Sequence, residues 1–265
     1  MKRMHLVEFE DLPWVPAVMR DGARDVLDVL FARVHFYRPL APKLMAWMDA
    51  TGETRLLDLC SGSGGGALAI HRLFVKAGRR DVAVELTDLY PNAAVCDRVS
   101  RLANPHLQYR REPLDARHAP PDLPGVRTLF SSLHHFQPAQ IRELLGSAVA
   151  ARAPIAVFDV AASPVLRKLP AFLAPFVAVP NLVLQFLMCL LLTPLVRPVR
   201  LSRLAWTYVL PAIALLYAWD ATVSALRAYT PEEVLALAQA VPGAGGYVWE
   251  SGRLGKALFL LGRPR

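Results

Sequence analysis

Apolar and polar positions in residues 55–160 follow two alternating periods. Five short apolar runs, typical of buried strands, are separated by longer stretches with apolar residues every three or four positions, as in helices. The strand candidates are 56–59, 82–87, 107–109, 126–131 and 155–160, and the helix candidates between them are 67–77, 93–102 and 138–150. Since strands that alternate with helices form parallel sheets covered on both faces, the pattern predicts an α/β fold.

The pattern changes on both sides of this region. Residues 1–54 form a predicted N-terminal helical segment, in which 25–36 has helical spacing of apolar positions. Residues 169–196 and 204–219 contain no charged side chain, which predicts an apolar helical insertion over 161–226. A helix start at Thr230-Pro231-Glu232-Glu233 and two strand candidates, 245–250 and 257–262, complete a domain that runs from 55 to 265 around the insertion.

A glycine-rich loop follows the first strand candidate. Asp58 ends the strand, and Gly62, Gly64, Gly65 and Gly66 follow within eight residues. Glycines allow positive φ and a close approach of the backbone to a ligand, and the helix that follows directs unpaired N–H groups at it. The loop therefore predicts a cradle for a nucleotide-like cofactor.

Polar side chains also follow the next strand candidates, at the sheet edge where open α/β folds bind ligands. Asp88 ends the second strand, where its carboxylate can accept both hydroxyls of a ribose. Asp115-Ala116 follows the third strand, where a side chain can meet an adenine edge. The fourth strand runs into Ser131 and then Leu-His-His-Phe.

His134 and His135 in that last segment are the candidate catalytic residues. A histidine near its ordinary pKa can act as a general base at neutral pH. The competing interpretation is a histidine pair that only completes a helix start.

These motifs together resemble those of the class I S-adenosylmethionine-dependent methyltransferases. The family's first motif, acid-x-Gly-x-Gly-x-Gly, stands here as Asp58-Leu59-Cys60-Ser61-Gly62-Ser63-Gly64, with a cysteine in place of the first glycine. Its acidic second motif matches Asp88, and its third matches Asp115-Ala116. The resemblance covers about residues 55–160 and 227–265.

The resemblance implies a Rossmann-like sheet of seven strands, the last one antiparallel, and S-adenosylmethionine as the cofactor. It implies that Leu89 packs on the adenine. The cofactor-binding residues expected from it are Asp58, Cys60, Gly62, Gly64, Asp88, Leu89, Asp115, Ala116 and Ser131.

With the apolar insertion, the resemblance predicts a methyltransferase that acts on an apolar small molecule or lipid at a membrane surface. Two other functions stay open. A NAD(P)-dependent oxidoreductase could use a similar sheet, although the sequence has no Tyr-x-x-x-Lys pair. A non-catalytic, membrane-bound binding module is the third hypothesis, and Cys60 is the residue that points to it.

The charge pattern favours a membrane over nucleic acid as the partner. The net charge is +8, but the arginines are dispersed and do not interleave with aromatic residues. Prolines within the apolar stretches favour a partly immersed or re-entrant hairpin with Arg197, Arg200 and Arg203 near lipid headgroups. The alternative is a soluble, hydrophobic lid over the active site.

The remaining composition points to a reducing compartment. Three cysteines, Cys60, Cys96 and Cys189, occur without metal-ligand spacing, so neither a disulfide framework nor a metal site is expected. The first residues carry acids and lack the apolar core of a signal peptide. We therefore expect the cytoplasmic face of the cell membrane or, alternatively, the cytoplasm.

Overall fold

The computed structural model describes residues 3–160, 162–163 and 170–265. The chain divides into two compact units, one of Met1–His35 and Ala162–Ala228 and one of Phe36–Ala161 and Tyr229–Arg265. The helices of at least eight residues are α1 (Ala17–Arg33), α2 (Leu40–Thr51), α3 (Gly65–Lys76), α4 (Ala93–Ser100), α5 (Pro138–Ala150), α6 (Ala174–Leu192), α7 (Ala212–Arg227) and α8 (Pro231–Gln239). The strands are β1 (Arg55–Asp58), β2 (Ala83–Leu86), β3 (Leu107–Tyr109), β4 (Val126–Phe130), β5 (Ile155–Val160), β6 (Tyr247–Leu254) and β7 (Ala257–Pro264).

The second unit is built on one seven-stranded sheet. The strand order is β3-β2-β1-β4-β5-β7-β6. Strands β1 to β5 are parallel, and β7 pairs antiparallel with β5, so that Ile155 lies opposite Gly262. The predicted α/β fold, with helices on both faces and an antiparallel last strand, is confirmed.

Helices cover both faces of this sheet because side chains alternate along each strand. Leu57 and Leu129 point to one face and share a core with residues of α5 and α8. Phe130 points to the other face, where α3 packs so closely that a Cβ on Gly66 would lie 2.4 Å from the Phe130 Cβ. The buried strands leave their carboxyl ends at one edge, between these two layers.

Sequence periodicity located these elements closely. Strands β3 and β5 and helix α5 have their predicted limits, and most other elements differ by no more than three residues at either end. The largest difference is in α1, which begins at Ala17, eight residues before the predicted stretch 25–36, and the last two strands also extend further than predicted, to Leu254 and Pro264. An antiparallel pair can lengthen beyond the buried, apolar part because a solvated outer end needs no apolar pattern.

The first unit joins the N-terminal residues to the apolar insertion. Helices α1, α6 and α7 share one core, which includes Val26, Cys189 and Ile213. A Cβ on Gly22 would lie 2.5 Å from the Ile213 Cδ1 atom, so a small residue is needed where α1 approaches α7. The domain limits expected from the sequence were 1–54 and 55–265, interrupted by 161–226. They stay a prediction.

One helix among the described residues is long and apolar enough to cross a membrane. It consists of α6 and the 3-10 turn Thr193–Leu195 that continues it, 22 residues in all. Its most apolar stretch of 18 residues has a mean hydropathy of 2.1 and is 17% buried. Two shorter helical segments, Leu201–Val209 and Ala212–Arg227, are together also long and apolar enough, but the chain bends by 76° at the break between them. The described part of the apolar insertion is therefore mainly helical.

The three arginines of the insertion differ in burial, which corrects the expectation that all three lie near lipid headgroups. Arg203 is buried, donates to the Asp25 Oδ2 at 2.8 Å, and also donates to the carbonyl oxygens of Val196 and Pro198. A guanidinium held in this way fixes a turn and cannot reach a lipid headgroup. Only Arg197 and Arg200 are exposed.

Candidate functional site

The glycine-rich loop between β1 and α3 has the left-handed backbone that its sequence predicts. The φ angles of Cys60, Gly62 and Gly64 are 60°, 51° and 78°. The loop closes on itself and on β2, because Gly64 N donates to Ser61 O at 2.6 Å and Ser61 N donates to Thr87 O at 2.8 Å. A Cβ on Gly62 would meet no protein atom within 4 Å among the described residues, so a ligand can approach the backbone there.

Gly64 carries the strongest requirement for glycine. Besides its positive φ, a Cβ there would lie 2.8 Å from the Leu86 Cδ2 atom. We expect Gly64→Ala to lower the free energy of unfolding by about 2 kcal/mol, because strain and crowding add. Gly78→Ala separates the two effects, since Gly78 has φ 90° with open space around a Cβ. It should cost only about 1 kcal/mol in the same urea titrations; equal losses would show that crowding at Gly64 contributes nothing.

Asp58 lies buried at the end of β1, directly below the loop. Its two carboxylate oxygens accept hydrogen bonds from Thr128 Oγ1 at 3.0 Å and from Ser61 Oγ at 2.6 Å. The pKa of Asp58 is raised to about 7, mainly by burial and to a smaller extent by the charge of Asp88, while the two hydroxyl donors oppose the shift. Asp58 thus connects β1, β4 and the loop, and its protonation state changes near neutral pH.

Asp88 follows β2 and holds the loop from the other side. Its Oδ2 accepts from Gly62 N at 2.8 Å, and its Oδ1 accepts from Tyr90 N at 2.9 Å. Each carboxylate oxygen has a second lone pair, so both can also accept a hydroxyl donor. Leu89 and Tyr90 beside it are exposed apolar surfaces on which a flat ring can pack.

Asp115 and Ala116 follow β3 and form a turn near the same loop. Arg117 donates to both carboxylate oxygens of Asp115, at 3.0 Å and 2.6 Å, and the guanidinium holds the pKa of that carboxyl well below its usual range. Ala116 is buried, so its side chain contributes packing rather than a polar contact. The structure therefore gives the Asp115 carboxylate a partner within its own turn.

The charges that act on Cys60 come from all three predicted motifs, which therefore lie close together around the loop. Burial raises the pKa of its thiol, and the charges of Asp88, Asp58 and Asp115 raise it further. The thiol is therefore neutral at physiological pH and is a poor nucleophile. The first, second and third predicted motifs are brought together around the loop.

The end of β4 supplies the remaining predicted residues. Ser131 has φ 55°, donates its N–H to Phe158 O at 2.7 Å, and has its hydroxyl 3.1 Å from the Tyr37 hydroxyl. His134 is buried, and the His135 ring lies against it with centroids 4.4 Å apart.

His134 is held by a carboxylate that the sequence interpretation missed. Asp159 of β5 accepts from His134 N at 2.7 Å, and its Oδ1 lies 2.8 Å from His134 Nδ1. Because an ionised carboxylate only accepts, Nδ1 carries the ring proton and Nε2 is the nitrogen that can accept one. An acid near the end of an otherwise apolar strand, IAVFDV, was the available signal.

Three further side chains at the site were also missed. Tyr109 donates to Gly62 O at 2.9 Å, and Arg98 donates to Ser63 O at 2.6 Å. Tyr37 reaches Ser131 across 94 positions of the sequence. Only the fold brings them to the loop, so no local pattern could have identified them.

Searches with family models and against curated proteins find no match to this chain. Solved structures do match. Human N-acetylserotonin methyltransferase, in complex with S-adenosylmethionine, superposes with a TM-score of 0.52 at 12% identity over 96% of this chain and 60% of that one. The S-adenosylmethionine-dependent methyltransferase SibL superposes with a TM-score of 0.51 at 16% identity over 87% and 56%.

This chain thus spans somewhat more than half the length of these proteins. At such low identity the likeness concerns the fold. The sheet order, the antiparallel last strand and the loop after β1 agree with that likeness, and the chain has the fold of S-adenosylmethionine-dependent methyltransferases.

Proposed function

We propose that this protein is an S-adenosylmethionine-dependent methyltransferase. The observation that carries the proposal is the arrangement at the carboxyl edge of β1, β2 and β3. There an acid, a left-handed glycine loop and a second acid with an exposed leucine lie together, in the order that the family resemblance implies.

The residues present fit this cofactor. Asp88 would accept the ribose hydroxyls, Leu89 would pack against the adenine, and the backbone of Cys60–Gly64 would surround the methionine end. When bound, the cofactor supplies a methyl group on a positively charged sulfur. Asp88, together with Asp58 when it is ionised, places negative charge beside the loop, which favours a cationic ligand.

For Asp115, we propose a contact with the cofactor that does not involve its carboxylate. Its carboxylate is occupied by Arg117, so we propose that the turn 115–116 lies along the adenine edge and gives it shape rather than charge. Ser131 would line the same edge from the end of β4.

His134 would serve as the general base. Asp159 fixes the ring by its Nδ1 proton, so that Nε2 can take the proton that an acceptor hydroxyl loses on methylation. His135 packs on the first ring and would hold its plane. A proton is released only if the acceptor atom carries one, so the pair favours an acceptor that loses a proton on methylation, such as a hydroxyl group.

We further propose that the acceptor is an apolar small molecule or lipid and that the protein works at the cytoplasmic face of the cell membrane. The support is the unusual surface of the first unit, where the 22-residue apolar helix leaves large aliphatic side chains exposed. The alternative is the cytoplasm, with the apolar insertion serving as a soluble, hydrophobic lid.

Isothermal titration calorimetry with S-adenosylhomocysteine tests the cofactor assignment. We expect a single site with micromolar affinity and no comparable heat with NADH. Binding of NADH in place of S-adenosylhomocysteine would favour an oxidoreductase, and binding of neither would reject the proposed function.

A further inference from the structure

The exposed face of the apolar helix is the largest feature that the proposed methyl transfer leaves unused. Every exposed residue of 170–195 is apolar, with no polar or charged side chain among them. They repeat every three or four positions, which places them along one face of the helix: Phe172, Phe176, Val179, Val183, Leu187 and Leu191. The exposed fraction of Phe176 is 75% and that of Leu191 is 68%.

A second exposed apolar segment lies next to this face. Leu201, Val209 and Leu210 are exposed by 83%, 78% and 58%, and they follow the helix after a short turn. Tyr208 between them donates its hydroxyl to Leu190 O, which attaches the second segment to the end of the helix. We call the exposed apolar side chains of 172–195 and 199–215 the apolar face.

The opposite side of the same unit is heavily charged. Helix α1, which shares the core with α6, carries six charged residues, namely Arg20, Asp21, Arg24, Asp25, Asp28 and Arg33. The N-terminal segment is bound to α7 through Arg227, which donates to Glu8 at 3.0 Å and to Asp11 at 3.2 Å. Charged side chains at the depth of the hydrocarbon are costly, so α1 and this network must stay outside it.

These two sides together determine how the unit can meet a bilayer. A spanning orientation of α6 would carry α1 and the Arg227 network into the hydrocarbon. An orientation in the plane of the membrane immerses only the apolar face and leaves the charged side out. At 1.5 Å per residue, the helix Ala174–Leu195 would then lie along roughly 33 Å of membrane surface.

We propose that the first unit is an in-plane membrane-binding unit, whose apolar face rests in one leaflet of an anionic bilayer. Arg197 and Arg200 give the charge complementarity, because both are exposed and alternate with Val199 and Leu201. Basic residues among exposed apolar ones are typical of helices at an anionic interface. The proposal sharpens the membrane part of the proposed function and does not depend on methyl transfer.

Vesicle sedimentation with the full-length protein tests the surface. We expect binding to phosphatidylcholine–phosphatidylglycerol vesicles and a loss of at least tenfold for Leu187→Glu, since a charge replaces a leucine that the bilayer would bury. Leu102→Glu is the matched control, because Leu102 is 54% exposed in the other unit and Leu187 is 55% exposed. Equal binding of the two variants would overturn the proposal.

The charge contribution is tested in the same assay. The double variant Arg197→Gln/Arg200→Gln should lose about 25-fold on anionic vesicles, at roughly fivefold for each arginine, and little on phosphatidylcholine alone. Arg80→Gln/Arg101→Gln changes the net charge equally on exposed positions elsewhere and should bind as the wild type does. Equal losses in both pairs would mean that only net charge matters and would reject the assigned face.

Depth measurements separate in-plane from spanning orientation. Phe176→Trp, Leu184→Trp and Leu191→Trp should show the same additional quenching by shallow brominated lipids, relative to wild type. If lipids brominated deep in the bilayer quench position 184 most strongly, while shallow brominated lipids quench positions 176 and 191, the in-plane orientation is overturned. A stable dimer in sedimentation equilibrium that fails to bind vesicles would identify a second copy as the occupant instead. Calorimetry with S-adenosylhomocysteine is unaffected by any of these outcomes, so failure here is distinguishable from failure of the methyltransferase proposal.

Discussion

Asp88→Ala is expected to weaken S-adenosylhomocysteine binding by about 100-fold or more. The substitution removes the acceptor for two ribose hydroxyls, each worth about 1.5–3 kcal/mol when the acceptor is charged. It also removes the acceptor of the Gly62 and Tyr90 N–H groups, which now hold the loop in place. At roughly 1.4 kcal/mol per tenfold change, the hydroxyl contacts alone account for the expected loss.

Two comparisons isolate the ribose contact from the loop contact. Asp88→Asn keeps one acceptor oxygen, so calorimetry should show an intermediate loss of about tenfold. Asp122→Ala removes an exposed acid from another loop and should leave the affinity unchanged. If Asp88→Ala binds within threefold of the wild type while its circular dichroism is native, the ribose assignment is wrong.

The sequence predicted those parts of the molecule that depend on neighbouring residues. Strand β3 and helix α5 have their predicted limits because periodicity and end signals are local. The edge of the sheet that carries the candidate site could also be predicted from the sequence. The carboxyl ends of parallel strands lie at the same edge, whatever the order of the strands in the sheet. The structure brings Asp58, Asp88 and the glycine loop together at that edge, and the predicted fold is confirmed, while the role of these residues in cofactor binding stays a prediction.

Long-range contacts explain what the sequence did not show. Arg203 stood in an acid-free arginine cluster, yet its partner Asp25 is 178 positions away. The N-terminal residues join the insertion through Asp220, whose carboxylate accepts from Phe9 N and Glu10 N more than 200 positions away. Asp159 could have been suspected as a lone acid in a buried strand, but its histidine partner is set by the pairing of β4 with β5.

The protonation of Asp58 shows how one buried group connects the loop to stability. Its pKa in the folded protein is about 7, against an ordinary value of 3.8. The folded state therefore holds this proton more tightly than the unfolded state does. Stability that is present at acidic pH is lost as the pH rises from about 4 through about 7. Each pKa unit corresponds to 1.36 kcal/mol, so roughly 4 kcal/mol is the upper limit of this loss.

Asp58→Asn should remove that loss, because an amide has no charge to bury. Its oxygen and nitrogen can still pair with the hydroxyls of Ser61 and Thr128, which either donate or accept. We expect the variant to gain about 2 kcal/mol over the wild type between pH 5 and pH 8, measured by urea unfolding at both values. Asp122→Asn, at an exposed position, should show no such change. A variant that is equally destabilised at both pH values would mean that Asp58 is ionised in the folded protein at pH 5, and that Ser61, Thr128 and the loop solvate its charge well enough to offset burial.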